Sequence, residues 1–301
     1  MAHARTDSDY IVITPDPPLK PAPAILTTPT AMRRWRAAHP GPLGLVPTMG
    51  YLHEGHLDLV RRARRENAHV VVSIFVNPTQ FGPNEDFEKY PRDEVRDLNR
   101  LRDAEVDAVY LPSAAEMYPP GFQTSVSVED VTQPLEGAAR PGHFRGVTTV
   151  VLKLFNAIGP DRAYFGKKDA QQLRVIQRMT RDLDLGVEIV PCEIVREPDG
   201  LAMSSRNVYL TPEQRAAAPV LKQALEHARN LWNSGMRDAE TLRHAVRSQI
   251  EGEPLAEIDY ISLASDTTLK ELDGPVAGAA LLSLVVRFGH TRLLDNVELR
   301  P

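Results

Sequence analysis

Two hydrophobic patterns alternate through the first two thirds of the chain. Short continuous apolar runs at 43–46, 70–76, 108–111, 163–165 and 187–190 read as strands buried on both faces. Between them, near 54–67, 92–103, 146–158 and 169–183, apolar residues return at helical spacing. In the first such stretch Leu57, Val60 and Ala63 share a face, while Arg61, Arg62, Arg64 and Arg65 turn to solvent. Gly159-Pro160 stops the third. Strand–helix alternation predicts an α/β fold, a Rossmann-like parallel sheet with helices on both faces, over 31–194.

The texture then changes. Helices are predicted near 212–234 and 237–252, followed by strand patterns at 258–264, 279–286 and 292–298, so 195–301 reads as a smaller C-terminal α+β domain, placed to act as a lid. Residues 1–30 hold Pro15, Pro17, Pro18, Pro21, Pro23 and Pro29 with little periodicity, which predicts an extended tail.

Composition narrows the class without choosing a reaction. The chain has 301 residues, 42% hydrophobic and 25% charged, with a formal net charge of −5. The length favours two domains, and the acidic balance argues against a nucleic-acid partner. The one cysteine, Cys192, excludes an intrachain disulfide and a multi-cysteine metal site. No apolar run is long enough for a membrane span and no secretory leader is evident, so a cytoplasmic protein is expected.

Candidate chemistry concentrates where strands end, as expected for an open parallel sheet. The decapeptide Pro47-Thr-Met-Gly-Tyr-Leu-His-Glu-Gly-His56 joins a strand to a helix. His53 and His56 then occupy the first helical turn, where unpaired N–H groups and the helix dipole favour an anion and both imidazoles can donate to it. The zinc-protease pattern needs its histidines four apart and is not met. Asn77 to Phe81 and Gly166 to Asp169 follow other strands, and Ser204, Ser205 and Arg206 begin the second domain, which implies a cleft between the two.

His53-Glu-Gly-His56 resembles the H-x-G-H signature of nucleotidyltransferases and class I aminoacyl-tRNA synthetases, and Met203-Ser-Ser-Arg-Asn207 resembles their second phosphate signature. With Val46-Pro-Thr-Met-Gly50, Phe75-Val-Asn-Pro-Thr-Gln-Phe81, Tyr90-Pro-Arg92, Phe165-Gly-Lys-Lys-Asp169 and Gly200-Leu-Ala-Met-Ser-Ser-Arg-Asn207, residues 43–298 resemble the pantoate–β-alanine ligases. The resemblance implies ATP-dependent joining of (R)-pantoate to β-alanine through a pantoyl adenylate. It also implies Mg²⁺ and a homodimer.

The same resemblance implies roles for single residues. His53, His56, Lys168, Ser204, Ser205 and Arg206 would act on the phosphates. Pro47, Met49, Gly166, Asp169, Val195 and Met203 would complete the ATP site. Thr48, Met49, Gln80 and Gln172 would hold pantoate, bordered by Arg140 and His143, and Asp97 would hold the metal. The family pattern has Gly-Glu-Lys-Asp where this chain has Gly166-Lys-Lys-Asp169, so Lys167 stays an alternative to Lys168. Two rivals remain: a nucleotidyltransferase with a phosphorylated acceptor, disfavoured by the amides of Gln80 and Gln172, and a nucleotide-binding regulatory module using the Arg61 to Arg65 cluster.

Overall fold

The structure, a computed structural model, describes residues 21–83 and 85–301. In chain order its first part comprises β1 (Ala24–Leu26), α1 (Pro29–Ala38), β2 (Leu43–Thr48), α2 (Glu54–Glu66), β3 (His69–Ile74), α3 (Glu94–Asp103) and β4 (Ala108–Tyr110). After these come the short α4 (Ala114–Met117) and α5 (Glu136–Ala139), then α6 (His143–Ile158), β5 (Arg162–Gly166), α7 (Ala170–Asp182) and β6 (Glu188–Cys192). The second part adds α8 (Pro212–Ala217), α9 (Val220–Asn233), α10 (Ala239–Glu251), β7 (Glu257–Ser265), β8 (Ala280–Phe288) and β9 (Thr291–Leu299).

The first six strands form one parallel sheet in the order β1-β4-β3-β2-β5-β6. Strand order reverses between β2 and β5, so the crevice beyond their carboxyl ends is the place such a fold offers a ligand. The continuous apolar runs are explained by burial on both faces: α2 covers Val46, Val70 and Val72, while α6 and α7 cover Leu43, Leu45 and Val71. The last three strands form an antiparallel sheet, β7-β8-β9, with α9 and α10 packed on it. Leu269 and Leu281 from this second part join the core of the first, so the two sheets share buried apolar surface.

Three expectations are corrected. The tail does not extend to residue 30: Ala24–Leu26 pairs with β4 as an edge strand, and Pro29 opens α1 behind the Thr28 cap, while residues 1–20 lie outside the described residues. An edge strand tolerates the neighbouring prolines because its outer side needs no partner. The helix expected over 212–234 is two, since Pro219 lacks the N–H that a continuous helix would require. Pro47 and Thr48 belong to β2 and not to the turn after it.

Candidate active site

The turn after β2 is shaped by backbone geometry. Gly50 and Tyr51 both adopt positive φ, +80° and +49°, which reverses the chain between strand and helix. Asp97 of α3, only 1% exposed, accepts from Tyr51 N at 2.6 Å and Leu52 N at 2.8 Å and so holds the turn from behind. Both carboxylate oxygens accept from the backbone, and Asp97, expected as a metal ligand, is not among the residues that line the cleft. Among the described residues, no group of three or more His, Cys, Asp or Glu side chains is arranged to hold a metal ion.

His53 caps α2. Its Nδ1 accepts from Gly55 N at 3.1 Å, and His56 Nδ1 accepts from His53 N at 3.3 Å, a reciprocal capping box built from two imidazoles. A Cβ on residue 55 would lie 2.9 Å from the His53 ring, which is why glycine stands between them. Burial, and then Lys168, lower the His53 pKa to about 4; burial, and then His53, hold His56 well below the usual imidazole range. Both rings are neutral at pH 7, and with Nδ1 accepting, each keeps its proton on Nε2. The N–H groups of His53, Gly55 and His56 are thus bonded internally, and the two imidazoles stand side by side, with ring centroids 4.0 Å apart.

A second wall comes from β3 and α6. A Cβ on Gly146 would stand 2.4 Å from the Thr79 carbonyl oxygen, so α6 packs directly against the 3-10 turn Pro78–Gln80. Asn77 Nδ2 donates to Gln80 Oε1 at 3.1 Å, and Gln80 Nε2 lies 3.2 Å from Met49 Sδ. His143 Nδ1–H donates to the Gln80 carbonyl at 2.8 Å while its Nε2 accepts from Arg140 Nη1 at 3.1 Å; guanidinium only donates, which sets this tautomer. Burial, and then Arg140, lower the His143 pKa to about 4. Arg140 also grips Glu85 with two bonds, 2.8 and 2.6 Å. Arg140 and His143 border the cleft, and their polar atoms are bonded to Glu85, to each other and to the Gln80 carbonyl. The Gln172 side chain lines the cleft without a hydrogen bond among the described residues, whereas Thr48 Oγ1 is spent on Ser73 O and Gly50 N.

The choice between the adjacent lysines is made by packing. Lys167 Nζ bonds Glu193, at the edge of the cleft, at 2.6 Å and Glu298 of β9 at 3.4 Å, and Lys167 itself does not line the cleft. Lys168 lines the cleft, its Nζ 3.9 Å from Asp169. Asn296 of β9 donates to the carbonyls of both lysines, at 3.1 and 2.8 Å, so the second sheet fixes this segment. The 203–206 segment closes the site: Met203 N bonds Val195 O, Ser204 Oγ accepts from Arg206 N, and Ser205 Oγ donates to Tyr51 O.

Together these walls enclose a cleft of about 1780 Å³. Pro47, Thr48, Met49, His53, His56, Gln80, Arg140, His143, Gly166, Lys168, Asp169, Gln172, Val195, Met203, Ser204, Ser205 and Arg206 all line it, and Asp97 does not. Sequence reasoning missed Asn77, Glu85, Asp86, Glu136, Arg292 and Asn296. Asn77 lay inside a motif already singled out; the others carried no local signal. Of the four arginines of α2, three pair within the molecule, Arg61 with Glu54, Arg62 with Glu66 and Arg64 with Asp107, which offsets part of the positive charge on this helix face.

A parallel sheet with ligand-facing loops at its switch point, two imidazole donors on a helix start and a lysine and arginine opposite, defines a nucleotide-binding enzyme of the H-x-G-H kind. The family model described as pantoate-beta-alanine ligase matches residues 24–298. Pantothenate synthetases of Roseiflexus castenholzii and Chloroflexus aurantiacus are each 61% identical over 272 residues, covering 90% of this chain and 98% and 96% of theirs. The crystal structure of pantothenate synthetase from Thermus thermophilus superposes with a TM-score of 0.87 at 50% identity, covering 92% of this chain and all of that one. The pantoate-beta-alanine ligase of Francisella tularensis, complexed with beta-gamma ATP and beta-alanine, gives 0.76 at 34% identity over 92% of this chain and 97% of its own. The chain belongs to the pantoate–β-alanine ligase family.

Proposed function

We propose that this cleft carries out both half-reactions of ATP-dependent pantoate–β-alanine ligation at one site. A carboxylate oxygen of pantoate attacks the α-phosphorus in line, the bond to pyrophosphate breaks, and pantoyl adenylate remains. The neutral amine of β-alanine then attacks the acyl carbon; the C–O bond to AMP breaks, the amine loses a proton, and pantothenate and AMP leave. With no covalent enzyme intermediate required, positioning and charge stabilisation supply the rate.

The observation that carries this reading is the pair of neutral imidazoles locked with Nε2–H free to donate. They are assigned to the α- and β-phosphates, with Lys168 as a mobile point charge and Ser204, Ser205 and Arg206 as the opposing clamp. Gly166 and Asp169 take the ribose, and Pro47, Val195 and Met203 the adenine side. Gln80, Gln172 and Met49 hold pantoate. Mg²⁺ is proposed to arrive on the triphosphate, held mainly by phosphate oxygens and water, and would neutralise charge as pyrophosphate departs.

Residues 195–301 are proposed as the lid, and the chain as a cytoplasmic homodimer, the commonest closed symmetry for such enzymes. No described helix is long and apolar enough to cross a membrane.

The test is exchange of labelled pyrophosphate into ATP with Mg²⁺ present and β-alanine absent. Exchange that depends on pantoate is expected; none, from protein shown to bind ATP, would reject the adenylate.

A further inference from the structure

Glu85 and Asp86 are consecutive, yet each is gripped side-on by a different arginine. Glu85 bonds Arg140 Nε and Nη2 on the wall of the first domain. Asp86 bonds Arg206 Nε at 2.9 Å and Nη2 at 2.8 Å, on the segment that begins the second. The 85–90 segment thus ties the Gln80 wall to the Ser204-Ser205-Arg206 loop. Tyr209 OH adds a bond to Lys89 O at 2.9 Å, and the Arg206 guanidinium stands 5.8 Å from the Tyr90 ring centroid.

A guanidinium has two forked edges. Asp86 occupies the Nε/Nη2 edge, whereas Arg206 Nη1 has no hydrogen bond to the described residues and the side chain lines the cleft. The loop is registered against the histidine turn by Ser205 Oγ on Tyr51 O at 3.4 Å, and Met203 Cβ lies 3.7 Å from where a Cβ on Gly55 would stand. Arg206 is therefore held close to the start of α2 with its Nη1 edge unspent.

We propose that Asp86 is a positioning residue for adenylation: it holds Arg206 by the side edge so that the Nη1/Nη2 edge meets the departing pyrophosphate. This rests on the assignment of Arg206 to the phosphates. Asp86 acts through the orientation of that guanidinium, to which both its oxygens are bonded. Burial pushes the Asp86 carboxyl up, but the bond and charge of Arg206 outweigh it, so the group lies below the usual carboxylate range and stays ionised at pH 7.

The test compares wild type, Asp86→Asn, Arg206→Ala and the double variant, each with a thermal melt as a check on folding. Pantoate-dependent pyrophosphate exchange is measured beside release of pantothenate from preformed pantoyl adenylate and β-alanine. Asp86→Asn is expected to slow exchange about 10- to 100-fold, the scale for a misaligned group, with aminolysis within about twofold of wild type. In the Arg206→Ala background it should cost nothing further. Normal or faster exchange by Asp86→Asn, losses that multiply in the double variant, or equal slowing of both half-reactions would each overturn the proposal. Normal exchange by Arg206→Ala would instead remove Arg206 from the phosphates, and the proposal with it. Slow Arg206→Ala beside normal Asp86→Asn would sink the proposal alone.

Discussion

His53 shows how one side chain serves fold and chemistry together. Its Nδ1 completes the helix cap and thereby assigns the proton to Nε2, so capping and donor orientation are one arrangement. With the His53 pKa lowered to about 4, first by burial and then by Lys168, pyrophosphate exchange is expected to stay flat through the ordinary imidazole range near 6.5 and to fall only toward about pH 4. Loss centred near 6.5 as pH falls would mean an imidazole whose pKa is not lowered, and loss as pH rises through 6.5 would mean a histidine working as a cation. His143, also lowered to about 4 by burial and then Arg140, makes the corresponding statement about stability. A depressed folded pKa means the unfolded chain binds protons first, so stability is intact above about 6.5 and is lost as pH falls toward about 4. The urea midpoint should decline over that window, and His143→Asn should flatten the decline.

The lysines give a second residue-scale contrast. Lys168→Ala should lower exchange by about 10²–10³, the scale for one preorganised electrostatic donor. Lys167→Ala breaks only its partly exposed pairs with Glu193 and Glu298, worth about 0–1 kcal/mol each, and should cost far less; equal losses would exchange their roles.

Among the elements, the contact of α6 with the Pro78–Gln80 turn sets the position of Gln80. Gly146→Ala would place a methyl 2.4 Å from the Thr79 carbonyl, so helix and turn must separate. Overpacking of this kind costs about 1–3 kcal/mol, read as a shift in urea midpoint, and KM for pantoate should rise because Gln80 moves with the turn. An unchanged KM would detach Gln80 from pantoate. Nothing around residue 146 in the sequence disclosed this, because an isolated glycine early in a helical pattern reads only as a weak helix former.

For the whole molecule, the cleft exists because two sheets are held in register. Arg292 of β9 reaches Glu136 of α5 with bonds of 3.1 and 3.0 Å, and Asn296 fixes the lysine carbonyls. Asn296→Ala should therefore slow adenylation by roughly tenfold, since small displacements of a charge near the reacting atoms are costly, and should lower the melting temperature, since a buried amide that gives two hydrogen bonds is lost. Unchanged exchange would show that the lysine segment holds itself. The alternation of buried strands and amphipathic helices already specified the parallel sheet, because burial on both faces demands continuous apolar runs. The His53-x-Gly55-His56 spacing likewise specified the helix start, because capping and close approach are local. The same local signals failed at β1, too short to show a period, and at Pro219, whose break was overridden by the apolar stripe on either side. Only the tertiary structure put Lys168 and not Lys167 on the cleft wall, set Asp97 against the Tyr51 and Leu52 amides, and brought Asp86 to Arg206. Those outcomes depend on charged side chains meeting partners 26 to 131 residues away along the chain, and pairing at such separations leaves no periodic trace along the chain.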